Sequence, residues 1–110
     1  MLTGYHSDMV ISLAGEWDIY QAAELRKRLE PAYTERDVVL DLTSAKYITS
    51  SLISALLLAH KHRVETQKPP AALAVRSAFV RRLLTLTGLE GVYPIYSSVE
   101  DALEARQAVR

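Results

Sequence analysis

The run Thr49-Ser50-Ser51 places three side-chain hydroxyls in a row, just ahead of the apolar stretch Leu52 to Ala59. A hydroxyl at the start of a helix accepts a hydrogen bond from a backbone N–H that has no partner of its own, which is the chemistry of an N-cap. One cap needs one hydroxyl. A second member of the run is therefore open to phosphorylation, which adds about −1.5 to −2 charges. A phosphate there would stand at the positive end of the helix dipole. Thr49, Ser50 and Ser51 thus read as a cap, a switch or both.

Other residues with chemical potential read as structural. His60 and His62 form an H-x-H pair, but residues two apart on a helix point about 200° away from each other and cannot share one metal ion. Surface or boundary positions are expected for both. Glu16 and Asp18 alternate near a strand end, yet no nucleophile or oxyanion pattern accompanies them, and turn or cap roles are expected. Gly4, Gly15, Gly88 and Gly91 form no phosphate-cradling loop. Arg81-Arg82 reads as a solvated helix face. An enzyme would need a pocket holding Asp18 or Asp41 with a strongly shifted pKa. No catalytic residue, metal or cofactor is expected.

The elements that must position the hydroxyl run follow from periodicity. Met9 to Leu13 reads as a strand, and Leu2 to Tyr5 as a short strand beside it. Ala22, Leu25 and Leu29 recur at helical spacing between Gln21 and Glu30, and Pro31 marks the exit. Val38 to Leu42 is an apolar strand with Asp41 as its one charge. A helix over Ser50 to about Glu65 follows, then the breakers Pro69-Pro70 and a buried strand over Ala71 to Val75. Ser77 caps a further helix that turns Phe79, Leu83 and Leu86 inward and Arg81, Arg82 and Thr85 outward. Gly88-Leu89 is its stop signal. Val92 to Tyr96 contains Pro94 and belongs at a sheet edge. Ser97 with Glu100 forms a capping box, and Val99, Ala102, Leu103 and Arg106 share one face of the last helix. Alternation of this kind favours parallel strands joined by right-handed helical crossovers.

On the helix after the hydroxyl run, Ile53, Leu56, Leu57, His60 and Val64 are expected to pack on the sheet. Ser51, Ser54, Ala55, Leu58 and His62 form a face of small residues with one leucine. That face suits either close approach by another protein or burial beneath a neighbouring helix.

Composition bounds the function. At 110 residues the chain makes one domain, residues 1–110. Thirteen basic and thirteen acidic residues balance, which argues against nucleic acid or an anionic membrane as the main partner. There is no cysteine, hence no disulfide and no thiolate chemistry. The longest apolar stretch is too short to span a bilayer, and no signal peptide is visible. A cytoplasmic location is the expectation, without membrane insertion.

Three segments carry a family resemblance over residues 9 to 105. Val10-Ile11-Ser12-Leu13-Ala14-Gly15-Glu16-Trp17-Asp18 is similar to the strand ending in Gly-Glu-Leu-Asp of STAS domains, the fold of bacterial anti-sigma factor antagonists. Val38-Val39-Leu40-Asp41-Leu42 with Tyr47-Ile48-Thr49-Ser50-Ser51 resembles their central strand and Asp-Ser-Ser-Gly phosphorylation loop. Val80 to Leu89, Tyr93-Pro94-Ile95-Tyr96 and Ser98 to Leu103 resemble their C-terminal half. The resemblance implies an α/β STAS fold, with a mixed, mostly parallel sheet of roughly four to five strands and about four α-helices. It implies a protein-binding function without enzyme activity. The partner would be an anti-sigma factor that is also a serine kinase of ATPase fold. Ser51 matches the phosphoacceptor position, with Ser50 the alternative. Asp18, Tyr47, Thr49, Ser50, Ser51, Ser54 and Leu58 would border the docking surface. Thr49 stands where the family has aspartate and keeps the capping capacity. Leu52 stands where it has glycine and adds bulk beside the serine. Other STAS domains act without phosphate, as scaffolds or as accessory subunits of lipid-transport ABC ATPases. The oligomeric state is left open.

Overall fold

A computed structural model describes residues 9–14 and 17–108. Four short strands, β1 (Met9–Ser12), β2 (Val38–Asp41), β3 (Ala72–Ala74) and β4 (Ile95–Tyr96), form one sheet in the order β1-β2-β3-β4. All three pairings are parallel, with Ile11 opposite Leu40, Leu40 opposite Leu73, and Leu73 opposite Ile95. This is the α/β architecture that the alternation of elements predicts, with β4 at an edge as Pro94 requires. The strand expected over Leu2 to Tyr5, and with it the antiparallel part of a mixed sheet, lies outside the described residues.

Pleat alternation divides the sheet residues between two cores. Ile11, Val38, Leu40, Leu42, Leu73 and Val75 face one side, where helices α1 (Ala22–Arg28), α2 (Glu30–Thr34), α3 (Ser50–Glu65) and α4 (Ala78–Leu86) contribute Leu25, Leu29, Ala32, Leu52, Leu56, Val80 and Leu84. Val39, Ala72 and Ala74 face the other side, against Ala102 of α5 (Val99–Ala108), with Val99 and Leu103 packed around them. Alanine at three of these positions lets the backbone of α5 come close to the strands.

Several boundaries differ from expectation. Pro31 does not end a helix: α1 stops at Arg28, Leu29 caps both helices, and Pro31 sits in the first turn of α2. Proline is tolerated there because the N–H it lacks would have had no partner. The last helix is capped by Ser98, whose hydroxyl accepts from Asp101 N at 3.0 Å, so the Ser97–Glu100 box is displaced by one residue. The last strand shortens to Ile95–Tyr96, because Tyr93 turns into the core and its hydroxyl donates to Leu56 O at 2.6 Å. Gly88 does end α4, at φ +82°, and Leu89 is buried behind it.

Two helices are rotated from the expected orientation. In α3 the buried stripe is Leu52, Leu56, Ala59 and Arg63, while Ile53 and His60 lie at its margin and Leu57 and Val64 are exposed. In α4 Val80 and Leu84 enter the core, Leu83 is half-buried, and Phe79 and Leu86 face outward. Helix α3 is apolar around much of its circumference, and in α4 the apolar arc from Phe79 and Leu86 through Leu83 to Val80 and Leu84 is wider than the strip the core takes, so periodicity admits more than one inward orientation. In α3 the choice is held by Arg63. Its fully buried guanidinium donates to Ala32 O at 2.7 Å, Glu35 O at 2.8 Å, Pro69 O at 3.0 Å and Arg36 O. Burial is the main influence holding its pKa below the ordinary arginine value, followed by the nearby charge of Arg106. Beside this clamp, Arg106 donates to Pro70 O at 3.0 Å and pairs with buried Asp37 at 3.1 Å, tying α5 to the start of β2.

Candidate functional site

The hydroxyl run lies at the junction of β2, its loop and α3. Asp41, at the end of β2, accepts from both the N–H and the hydroxyl of Thr43, at 2.9 and 2.7 Å, and so turns the chain out of the sheet. Buried Ala45 plugs the loop against the core, and its N–H donates to Leu42 O at 3.0 Å. The chain then reaches Thr49, which is extended at φ −96°, ψ 163°, and α3 begins at Ser50.

Thr49 is the N-cap, as expected. Its hydroxyl accepts from Leu52 N at 3.1 Å and donates to the carbonyl of Trp17. One hydroxyl therefore ties the start of α3 to the segment after β1. An ionised aspartate at this position could accept from Leu52 N but could not donate to Trp17 O. The threonine is thus suited to a contact that the aspartate of the family pattern cannot make. Trp17 is itself fixed: it is buried, its indole N–H donates to Leu13 O at 2.9 Å, and the Arg28 guanidinium lies 5.6 Å from its ring centre. Thr49→Val is expected to destabilise the fold by about 1–2 kcal/mol. Urea unfolding should show a lower midpoint with an unchanged slope, and Thr49→Ser should recover most of the loss.

With Thr49 as cap, Ser50 and Ser51 are the first two helical residues. Ser50 is exposed and Ser51 half-buried. Both line an open cleft of about 310 Å³ with Ser54, Ala55 and Leu58 of α3 and with Ala22, Leu25 and Arg26 of α1. The small-residue face of α3 is therefore neither wholly free nor wholly covered. Helix α1 flanks it, while Ser54 and Leu58 remain exposed. Leu52 points into the core and is 2% exposed, so its bulk fills the interior beneath α3 and leaves the serine face open.

Among the remaining sequence-predicted residues, Asp18 is exposed and does not line the cleft. Its carboxylate accepts from Tyr20 N at 3.0 Å at the start of a short 3-10 turn, Ile19–Gln21. It adjoins Trp17, whose carbonyl meets Thr49, so it stands near the mouth of the junction. Tyr47 is exposed on the loop before the cap. Glu16 lies outside the described residues. His62 packs edge-on against Tyr33, with ring centres 4.7 Å apart, and His60 lies 5.4 Å from the Tyr93 ring. The two histidines thus lie on opposite flanks of α3. Periodicity missed Arg26, the cationic wall of the cleft. It stands four residues after Ala22, so both lie on one side of α1, and that spacing was the available signal.

Comparison with known proteins agrees with this geometry. The family model described as "Mlab, STAS domain" matches residues 3–97. The crystal structure of an anti-sigma factor antagonist from Mycobacterium paratuberculosis is 26% identical, with a TM-score of 0.75, covering 94% of this chain and 90% of that one. An anti-sigma-factor antagonist (STAS) domain protein from Planctomyces limnophilus is 28% identical, with a TM-score of 0.66 and 87% of each chain covered. A Thermotoga maritima structure, 21% identical with a TM-score of 0.69 over 87% of this chain and 86% of that one, shares the fold. No curated protein sequence gives a significant match. With the matched model spanning most of its length, the chain belongs to the STAS domain family.

Proposed function

We propose that this STAS domain is an anti-sigma factor antagonist. It binds an anti-sigma factor of ATPase fold through the surface at the start of α3, and phosphorylation of Ser51 controls the contact. The observation that carries this reading is the convergence of Ser50, Ser51, Ser54 and Leu58 on one open cleft, at a helix start already capped by Thr49. Capping and modification are then separable, because the hydroxyl that holds the helix is not the one offered to a kinase. A phosphate on Ser51 would enter a cleft that Arg26 lines and would stand in the first turn of α3, where negative charge is favoured. The helix stays formed while the docking surface changes sign. Tyr47 and Asp18 complete the rim of this surface. Two structural relatives described as anti-sigma factor antagonists, at 26% and 28% identity, support the reading.

A second reading, a phosphate-independent scaffold or an accessory subunit of a lipid-transport ABC ATPase, uses the same surface. Thr49 and Leu52, in place of the acidic and glycine residues of the phosphorylation loop, favour it. Mass spectrometry after incubation with the candidate serine kinase and ATP separates the two. One phosphate on Ser51, absent from Ser51→Ala, is the expected result. A chain that binds the kinase yet acquires no phosphate would select the scaffold reading.

A further inference from the structure

Helix α4 presents outward two large apolar side chains that its periodicity assigned to the core. Phe79 is 57% exposed and Leu86 is 69% exposed. Arg82 borders them: it stands one turn after Phe79 and one turn before Leu86, at the polar edge of the same side of the helix. Arg76, Arg81 and Arg82 are all exposed, and none makes an ion pair with a described residue. Glu90 is close by and accepts from the Thr85 hydroxyl; its single negative charge is outnumbered by the two guanidinia of Arg81 and Arg82 in the same lining. The surface is also concave: Ala78, Arg81, Arg82, Thr85, Leu86 and Glu90 line a hollow of about 590 Å³. The chain as a whole is neutral, so this positive charge is a local feature.

We propose that the outer face of α4 is a second docking site, for an acidic segment of a partner protein whose apolar ridge packs on Phe79 and Leu86 while its carboxylates meet Arg81 and Arg82. Exposed aromatic and aliphatic side chains around an arginine have the composition of an interface centre. The free guanidinia specify the charge of whatever covers them. A membrane surface fits less well. A helix lying in a bilayer interface inserts a broad apolar face, whereas α4 has nine residues and keeps Val80 and Leu84 in the core, so that only Phe79 and Leu86 are left to insert. A second copy also fits less well. Two-fold packing of α4 on α4 would set Arg82 against its equivalent. The acidic first turn of a neighbour's α5, Glu100 and Asp101, offers carboxylates without an apolar ridge, because Val99, Ala102 and Leu103 of that helix pack on their own sheet. The Ser51 cleft is lined by α1 and α3, and the hollow by α4 and the turn after it; they share no residue, so the two sites can be occupied independently.

The test is an NMR titration of the full chain with a synthetic peptide of about five helical turns that carries a leucine stripe flanked by glutamates. Shift changes should be confined to α4 and the Leu89–Gly91 turn. Arg82→Glu and Phe79→Ser, both at exposed positions, should each weaken binding by about tenfold or more while spectral dispersion is kept. Binding should also weaken several-fold between about 50 and 300 mM salt. Shifts centred elsewhere, unchanged affinity in Arg82→Glu, or equal binding of a peptide with lysine for glutamate would overturn the proposal. Three other outcomes overturn it too: no peptide binding, phosphatidylglycerol vesicles bound through these residues in place of the peptide, or Arg82-dependent self-association in sedimentation.

Discussion

Arg63→Met is expected to lower the unfolding free energy by about 3–5 kcal/mol. The guanidinium is fully buried and donates to four backbone carbonyls: Ala32, Glu35 and Arg36 at the end of α2 and after it, and Pro69 beyond α3. Replacing a buried ion pair by apolar residues can be neutral when both partners are removed. Here the acceptors belong to the backbone and stay. Methionine fills the volume of the arginine stem but leaves those carbonyls without donors, at about 1–3 kcal/mol for each that water cannot reach. Helix α2 would lose its hydrogen bonds to α3 and keep only apolar and ring contacts such as Tyr33–His62. For a domain of this size each kcal/mol moves the thermal midpoint by about 4–8 °C, so a fall of more than about 12 °C is expected. Arg63→Lys keeps the charge but offers one ammonium in place of a planar fork, and an intermediate loss of about 2 kcal/mol follows. A loss below about 1 kcal/mol for Arg63→Met in urea unfolding would contradict the clamp.

The second large effect is on binding. Ser51→Asp and Leu58→Asp are each expected to weaken association with the anti-sigma factor by about a hundredfold, near 3 kcal/mol. Both place a charge in the proposed contact, where it must be desolvated or repelled. Their effects on folding should differ from this in sign or size. An aspartate in the first turn of α3 is favoured by the helix dipole by about 0.3–1 kcal/mol, so Ser51→Asp should be as stable as the parent or slightly more so. Leu58 is 54% exposed, and its replacement should change stability by no more than about 0.5 kcal/mol. Isothermal titration paired with urea unfolding on the same samples separates the two quantities. Binding that falls in step with stability would point to a folding defect and against an interface.

Local signals were the legible ones. A hydroxyl ahead of an apolar run places Thr49 as a cap, a glycine before leucine ends α4, and short apolar runs between breakers are strands; each depends on neighbours within a few residues. The rotations of α3 and α4 were not legible, because apolar residues occupy several sides of α3 and, in α4, one arc wider than the strip that is buried. Arg63 carries no local signal: its role is visible only where the carbonyls of Ala32, Glu35 and Arg36, about thirty positions earlier, and of Pro69 converge on it. The same holds for the candidate site. Ser50, Ser51, Ser54 and Leu58 share a face by helical spacing alone. The opposite wall of the cleft, with Arg26, comes from α1, and the second partner of the Thr49 hydroxyl is Trp17, which lies 32 positions earlier in the chain.

The most direct measurement is a calorimetric titration of the anti-sigma factor with two forms of this chain, one unmodified and one carrying phosphoserine at position 51. The unmodified form should bind, and the phosphorylated form should bind about a hundredfold more weakly with its unfolding midpoint unchanged or raised. Equal affinity of the two forms would contradict the account.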